Sequence, residues 1–123
     1  VKVILMEAKE DHPFVQVELM MPILPLVRVP DVDQAIEMAV RVEHGNRHTA
    51  MMHSRNVEKL TKMAKLIQTT IFVKNGPSYA GIGVGGEGYT TFTIAGPTGE
   101  GLTSAKSFAR RRRCVLVGGM DVR

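Results

Sequence analysis

Residues 30–45 read PDVDQAIEMAVRVEHG, and the spacing of their apolar positions admits one regular structure. Val32, Ala35, Ile36, Ala39 and Val40 recur at i, i+3, i+4, i+7 and i+8, a single stripe along an α-helix. Asp31 stands where an N-cap carboxylate accepts from backbone amides, Gln34 follows at capping-box spacing, and Gly45 supplies a stop. A second helical stripe, Val57, Leu60, Ala64 and Ile67, begins after Ser54, which reads as its cap, and Glu58 with Lys62 is set for an i, i+4 pair. Apolar runs flank both helices: LPLVRV (Leu24 to Val29), HTAMMH (His48 to His53) and TTIFV (Thr69 to Val73). Pro25 confines the first of these to an edge-like position. Strand, helix, strand, helix, strand with short joins is two successive βαβ units, so the expectation is an α/β fold on a parallel sheet with right-handed crossovers.

Beyond Lys74 the character changes. Gly76 to Gly101 holds nine of the twelve glycines, with Pro77 and Pro97, and reads as loop. Cys114 to Val117, CVLV, reads as a terminal strand. At 123 residues the chain is one domain at most, long enough to bury a core. The net charge of +4 comes from Arg110 to Arg113; without them 12 basic residues balance 12 acidic ones. A nucleic-acid binder spreads its basic residues over a face, so no such partner is expected. The longest apolar run, Leu19 to Val27, is broken by Pro22 and Pro25 and falls well short of the ~18 residues a membrane span needs. A single cysteine and no basic-then-apolar leader suit a reducing compartment. The chain opens at Val1 directly on a strand-like run, VKVILMEA, with no starting Met, as either processing or a place within a longer protein would leave it.

Gly81 to Gly88, GIGVGGEG, contains G-x-G-x-x-G. A dinucleotide fingerprint needs a strand immediately before it and a helix after it, whose N-terminal amides face the phosphates. The residues after Gly86, EGYTTFTIAGPTGEG, carry no helical stripe. The motif is therefore read as a glycine loop that lets backbone pass close to something else. His44 and His48 have helical metal-pair spacing, but Gly45 and Asn46 fall between them where the helix stops; with His53 they read as solvated or capping residues. Cys114 follows four arginines but has no evident base, and reads as a packed structural cysteine. Glu18 is a carboxylate beside the proline-stiffened run LMMPILP, and on the residues alone its plainer reading is a solvated side chain.

Taken in order, HPFVQVELMMPILPLVRV, HTAMMHSRN, IFVKNGP, GGEGYTT, PTGEG and RRCVLV closely resemble the C-terminal part of the CoA-acylating aldehyde dehydrogenases, in the propionaldehyde and acetaldehyde branch of bacterial microcompartments. The resemblance runs from about His12 to Val117. It implies the β-α-β-α-β parallel-sheet core of an aldehyde dehydrogenase catalytic domain, followed by a glycine-rich loop region and a C-terminal strand. Residues 1–107 would be the later part of that domain, and residues 108–123 an oligomerising strand and tail.

The implied reaction converts a short aldehyde, CoA and NAD to acyl-CoA and NADH. The implied cofactors are NAD and coenzyme A, and the implied partners are the remainder of the chain and further copies in a homo-oligomer. A cytoplasmic location is implied too, with a microcompartment interior as a further option. By the same resemblance Glu18 lies where the family holds the nicotinamide ribose hydroxyls. Met20 takes the place of a phenylalanine near the nicotinamide, and Ser78 and Tyr79 fall near the loop that lines the aldehyde pocket. The family's nucleophilic cysteine lies upstream of ELMMP, and no cysteine precedes Cys114. No catalytic residue and no metal ligand is therefore assigned, and the isolated chain is expected to be inactive. The alternative reading is a non-catalytic nucleotide-binding or assembly module.

Overall fold

Short apolar runs pair in parallel twice. The computed structural model describes residues 2–91, 94–95 and 101–118. Strand β1 (Ile4–Glu7) leads through the single-turn helix α1 (Pro13–Gln16) to β2 (Ile23–Leu26). The two strands pair in parallel from Ile4↔Ile23 to Glu7↔Leu26. Helix α2 (Val32–Val42) then leads to β3 (Thr49–Met52), helix α3 (Val57–Ile67) and β4 (Ile71–Lys74). β3 and β4 pair in parallel from Thr49↔Ile71 to Met52↔Lys74. A two-residue antiparallel pair, β5 (Ile94–Ala95) with β6 (Gly101–Leu102), comes next.

The alternation of strands and helices is as expected, but one continuous sheet is not. The described strands form three two-stranded sheets, and β2 pairs with β1 instead of β3. Pro25 supplies a reason. The carbonyls of Pro22 and Leu26 accept from Ile4 and Ala8, so the even-numbered positions of this strand face β1. Alternate residues of a parallel strand address opposite neighbours. Pro25 therefore falls on the free edge, where it has no N–H to offer a second strand.

Capping explains where the helices begin. Asp31 Oδ1 accepts from the Gln34 amide at 2.9 Å, and Gln34 Nε2 donates to Asp31 Oδ2 at 3.1 Å, so this cap stands as expected. At α3 the cap is Asn56 and not Ser54: Asn56 Oδ1 accepts from the Lys59 amide at 3.1 Å. Ser54 acts one step earlier, its hydroxyl accepting from the Asn56 amide. α2 stops at Val42, and His44 and Gly45 both turn into the left-handed region just beyond it.

The core lies between the two long helices and one face of the β3–β4 pair. Ile36 of α2 is 2% exposed and clusters with Met63 and Ile67 of α3. Ala39, Val40, Ala50, Met52 and Phe72 pack around them. Asp33 ties the helices together outside this core, bonding Lys59 Nζ at 2.7 Å and Lys62 Nζ at 2.8 Å. Lys62 thus reaches across to α2 and not along its own helix to Glu58. Hydrogen bonds from Lys59 and then Lys62 hold the Asp33 carboxyl down from 3.8 to about 2. A carboxyl that ionises more readily when folded favours the fold above its unfolded value and loses that contribution as the pH falls through its folded one. Acid unfolding followed by circular dichroism should therefore show an Asp33-dependent loss between about pH 4 and pH 2, absent in Asp33→Asn. A second exposed pair, Arg41 with Glu10 at 2.9 Å, joins the approach to α1 to α2.

Two surfaces are left open. Leu5, Leu24 and Leu26 share one face of the β1–β2 pair and are 45–63% exposed. After a 3-10 turn at Ala105–Phe108, residues 109–118 run exposed and without strand pairing, so the strand expected at Cys114 to Val117 does not form within this chain. Strand structure requires a hydrogen-bonding neighbour, and among the described residues none lies alongside.

Candidate functional site

Site geometry begins where β4 ends. Asn75 takes a left-handed φ of 55° and turns the chain through Gly76 and Pro77 into a 3-10 turn at Ser78–Ile82. This turn folds back onto the β3–β4 pair, and glycine makes the close approach possible. A Cβ on Gly81 would lie 2.3 Å from Ile71 Cγ2, and one on Gly88 would lie 2.7 Å from the Gly81 carbonyl oxygen. Gly83 has a φ of +96°, which few side chains tolerate. The G-x-G-x-x-G match is thus a loop packed against β4 and against itself. Gly81 sits inside the 3-10 turn, and bends, not a helix, run from Gly83 up to Gly88. The expectation of close backbone passage holds.

The fold-back borders an open pocket of about 240 Å³. Its walls are apolar at Ile71, Ile82 and Ile94, and polar at Thr49, His48, Ser78 and Tyr79. Ser78 and Tyr79, implied by resemblance as pocket residues, therefore do share a cavity. His48 joins them and is solvent-exposed, in keeping with its reading as a solvated or capping residue. His48 Nδ1 lies 2.7 Å from Thr49 Oγ1. The usable sequence signal was the pattern itself: a histidine directly preceding a strand whose partner, β4, leads straight into the Ser78 turn.

Glu18 and Met20 do not line this cavity. They lie between α1 and β2, beyond the Val17 amide that closes α1 onto the Pro13 carbonyl. Glu18 is exposed and makes no hydrogen bond or ion pair among the described residues. Met20 is 88% exposed, with a left-handed φ of 47° that is uncommon for a residue with a side chain. The four sequence-derived positions thus form two separate groups. His44, past the end of α2, does not join His48 on a helix face. No group of three or more His, Cys, Asp or Glu able to hold a metal ion occurs among the described residues.

Known proteins resemble this chain in sequence and fold. The aldehyde dehydrogenase family model matches residues 2–101. The propanal dehydrogenase (CoA-propanoylating) of Citrobacter freundii is 63% identical over 115 residues, which are 94% of this chain and 25% of that protein. The structure of Rhodopseudomonas palustris propionaldehyde dehydrogenase with bound propionyl-CoA is 79% identical, with a TM-score of 0.85 over 94% of this chain and 26% of that one. A propionaldehyde dehydrogenase from the fucose-utilisation microcompartment of Clostridium phytofermentans is 55% identical, with a TM-score of 0.84, and spans all of this chain and 28% of that one. The chain thus spans about a quarter of the length of the proteins it matches. With the family model matching most of its length, the chain belongs to the aldehyde dehydrogenase family.

Proposed function

We propose that this chain is part of a CoA-acylating aldehyde dehydrogenase that converts a short aldehyde, coenzyme A and NAD to the acyl-CoA and NADH. The observation that carries the reading is the 79% identity to a propionaldehyde dehydrogenase with bound propionyl-CoA. These similarities do not favour the alternative of a free-standing assembly module. The proposal extends to residues 108–123 as an oligomerisation strand and tail, of which 119–123 lie outside the described residues, and to a microcompartment setting like that of the Clostridium relative.

Within this reading Glu18 serves the cofactor. NAD, when bound, supplies the hydride acceptor. An ionised carboxylate only accepts hydrogen bonds, and both oxygens of Glu18 are uncommitted among the described residues, which suits a pair of ribose hydroxyls. Fixing the ribose orients the nicotinamide for transfer. Met20 would offer that ring a soft, polarisable contact. Ser78 and Tyr79 would border the aldehyde, with the isoleucines of the cavity accommodating its alkyl end. His48 would border the same space, its Nδ1 lying 2.7 Å from Thr49 Oγ1. The nucleophilic cysteine would come from chain outside these residues.

The full-length enzyme carrying this chain should form propanoyl-CoA and NADH from propanal. Hydrogen bonds to a charged group contribute about 1.5–3 kcal/mol each, so Glu18→Gln should lower kcat/KM for NAD by about 10- to 100-fold. KM for propanal should hold steady. Equal losses for both substrates, or none for NAD, would remove Glu18 from the cofactor site.

A further inference from the structure

At the end of β4 the side chain of Asn75 takes over a task normally done by backbone. The parallel ladder of β3 and β4 ends at Met52↔Lys74, and the Asn75 amide adds one more rung by donating to the Met52 carbonyl at 3.0 Å. There the backbone departs, because Asn75 adopts a φ of 55°. Its side chain continues in the direction the strand has left. Asn75 Oδ1 accepts from the Ser54 amide at 2.7 Å, and Asn75 Nδ2 donates to the Ser54 carbonyl at 2.9 Å. One carboxamide therefore reproduces the donor and acceptor of a peptide group across 21 residues of sequence. Asparagine suits this place twice over, since it tolerates the left-handed region better than most residues and carries an amide of the right length.

The consequence reaches the cavity. Only Gly76 and Pro77 separate Asn75 from Ser78, and Pro77 has a fixed φ. Little slack remains between the clamp and the turn that carries Ser78 and Tyr79. We infer that Asn75 is a positioning residue: its side-chain clamp on Ser54 sets the fold-back of residues 76–82 and thereby places Ser78 and Tyr79 against His48 in the cavity. This rests on the reading of that cavity as the aldehyde side of the site. Asn75 itself is not among the residues that line the pocket.

Two variants separate the amide from the backbone angle. Asn75→Gly keeps the left-handed turn without strain but deletes both side-chain hydrogen bonds, whereas Asn75→Ala loses the bonds and strains the turn. In the full-length enzyme, each variant should raise KM for propanal by about 5- to 10-fold, the effect of two exposed hydrogen bonds, and leave KM for NAD unchanged. Hydrogen–deuterium exchange on the same proteins should quicken several-fold across residues 76–84 and stay unchanged across α3. Wild-type behaviour of Asn75→Gly, in kinetics and exchange alike, would overturn the inference, because the angle alone would then suffice. A joint rise in KM for both substrates would overturn it as well, since it would mark general damage. An enzyme that fails to oxidise propanal at all would refute the proposed function, and the exchange comparison would still decide the role of Asn75.

Discussion

Given propanal, coenzyme A and NAD, the 123-residue chain on its own is expected to produce no NADH above the protein-free rate. Carbonyl addition needs an activated nucleophile, with a thiol held beside a base. The one cysteine is Cys114, which is exposed, lies in a stretch without strand pairing, and has no base bonded to it among the described residues. Cavity and cysteine are also distinct: Cys114 is not among the residues that enclose His48, Ser78 and Tyr79. The expected loss is complete, and a spectrophotometric assay with the full-length enzyme as positive control measures it. Steady NADH formation that disappears in Cys114→Ala would place the nucleophile here and overturn the proposal that it comes from elsewhere in the polypeptide.

Alanine at Gly81 should destabilise the region around β4 as strongly as an overpacked core does, by about 1–3 kcal/mol. The added methyl would lie 2.3 Å from Ile71 Cγ2. Ile71 is 5% exposed and β-branched, which restricts the rotamers by which its side chain could yield. The same substitution at Gly88 meets backbone atoms of Gly81 and Gly83 at 2.7 and 2.8 Å, which can yield only by moving the loop. Gly85 provides the contrast. Nothing lies within 4 Å of its Cβ position, and only its φ of +74° opposes a side chain. The left-handed penalty there is about 1–2 kcal/mol. Urea unfolding of the three variants should therefore rank Gly85→Ala as the mildest. Ile71→Ala removes the colliding Cγ2, so the double variant Gly81→Ala with Ile71→Ala should lose less than the sum of the single losses. Strict additivity would show that the Gly81–Ile71 contact is not the cause.

Local features were the legible ones. The α2 stripe, its Asp31 cap and its stop near Gly45 depend on residues within one or two turns of each other, and all three stand in the structure. Choices between distant partners were harder to read. Nothing in the HTAMMH run says that β3 leaves β2 alone; that depends on which edge Pro25 faces, which emerges only once β1 is seen to occupy the other. Lys62 likewise had a plausible neighbour four residues away, but Asp33 of α2 offered it a carboxylate that Lys59 also shares. At the site, resemblance pointed to Ser78 and Tyr79, and the cavity gathers both. His48 is solvent-exposed, in keeping with its reading as solvated, and also borders the pocket, which the residue type alone does not reveal. Met20 has a further hidden trait: it holds a left-handed backbone that its residue type does not announce.

The leucines on the bare side of the β1–β2 ribbon bear on how this polypeptide behaves in a test tube. Leu5, Leu24 and Leu26 form a water-repelling stripe with no lid among the described residues. Patches of that kind adhere to one another when molecules crowd together. Dilution or a mild detergent would keep the preparation dispersed, and grafting charge onto the stripe would give a more soluble reagent.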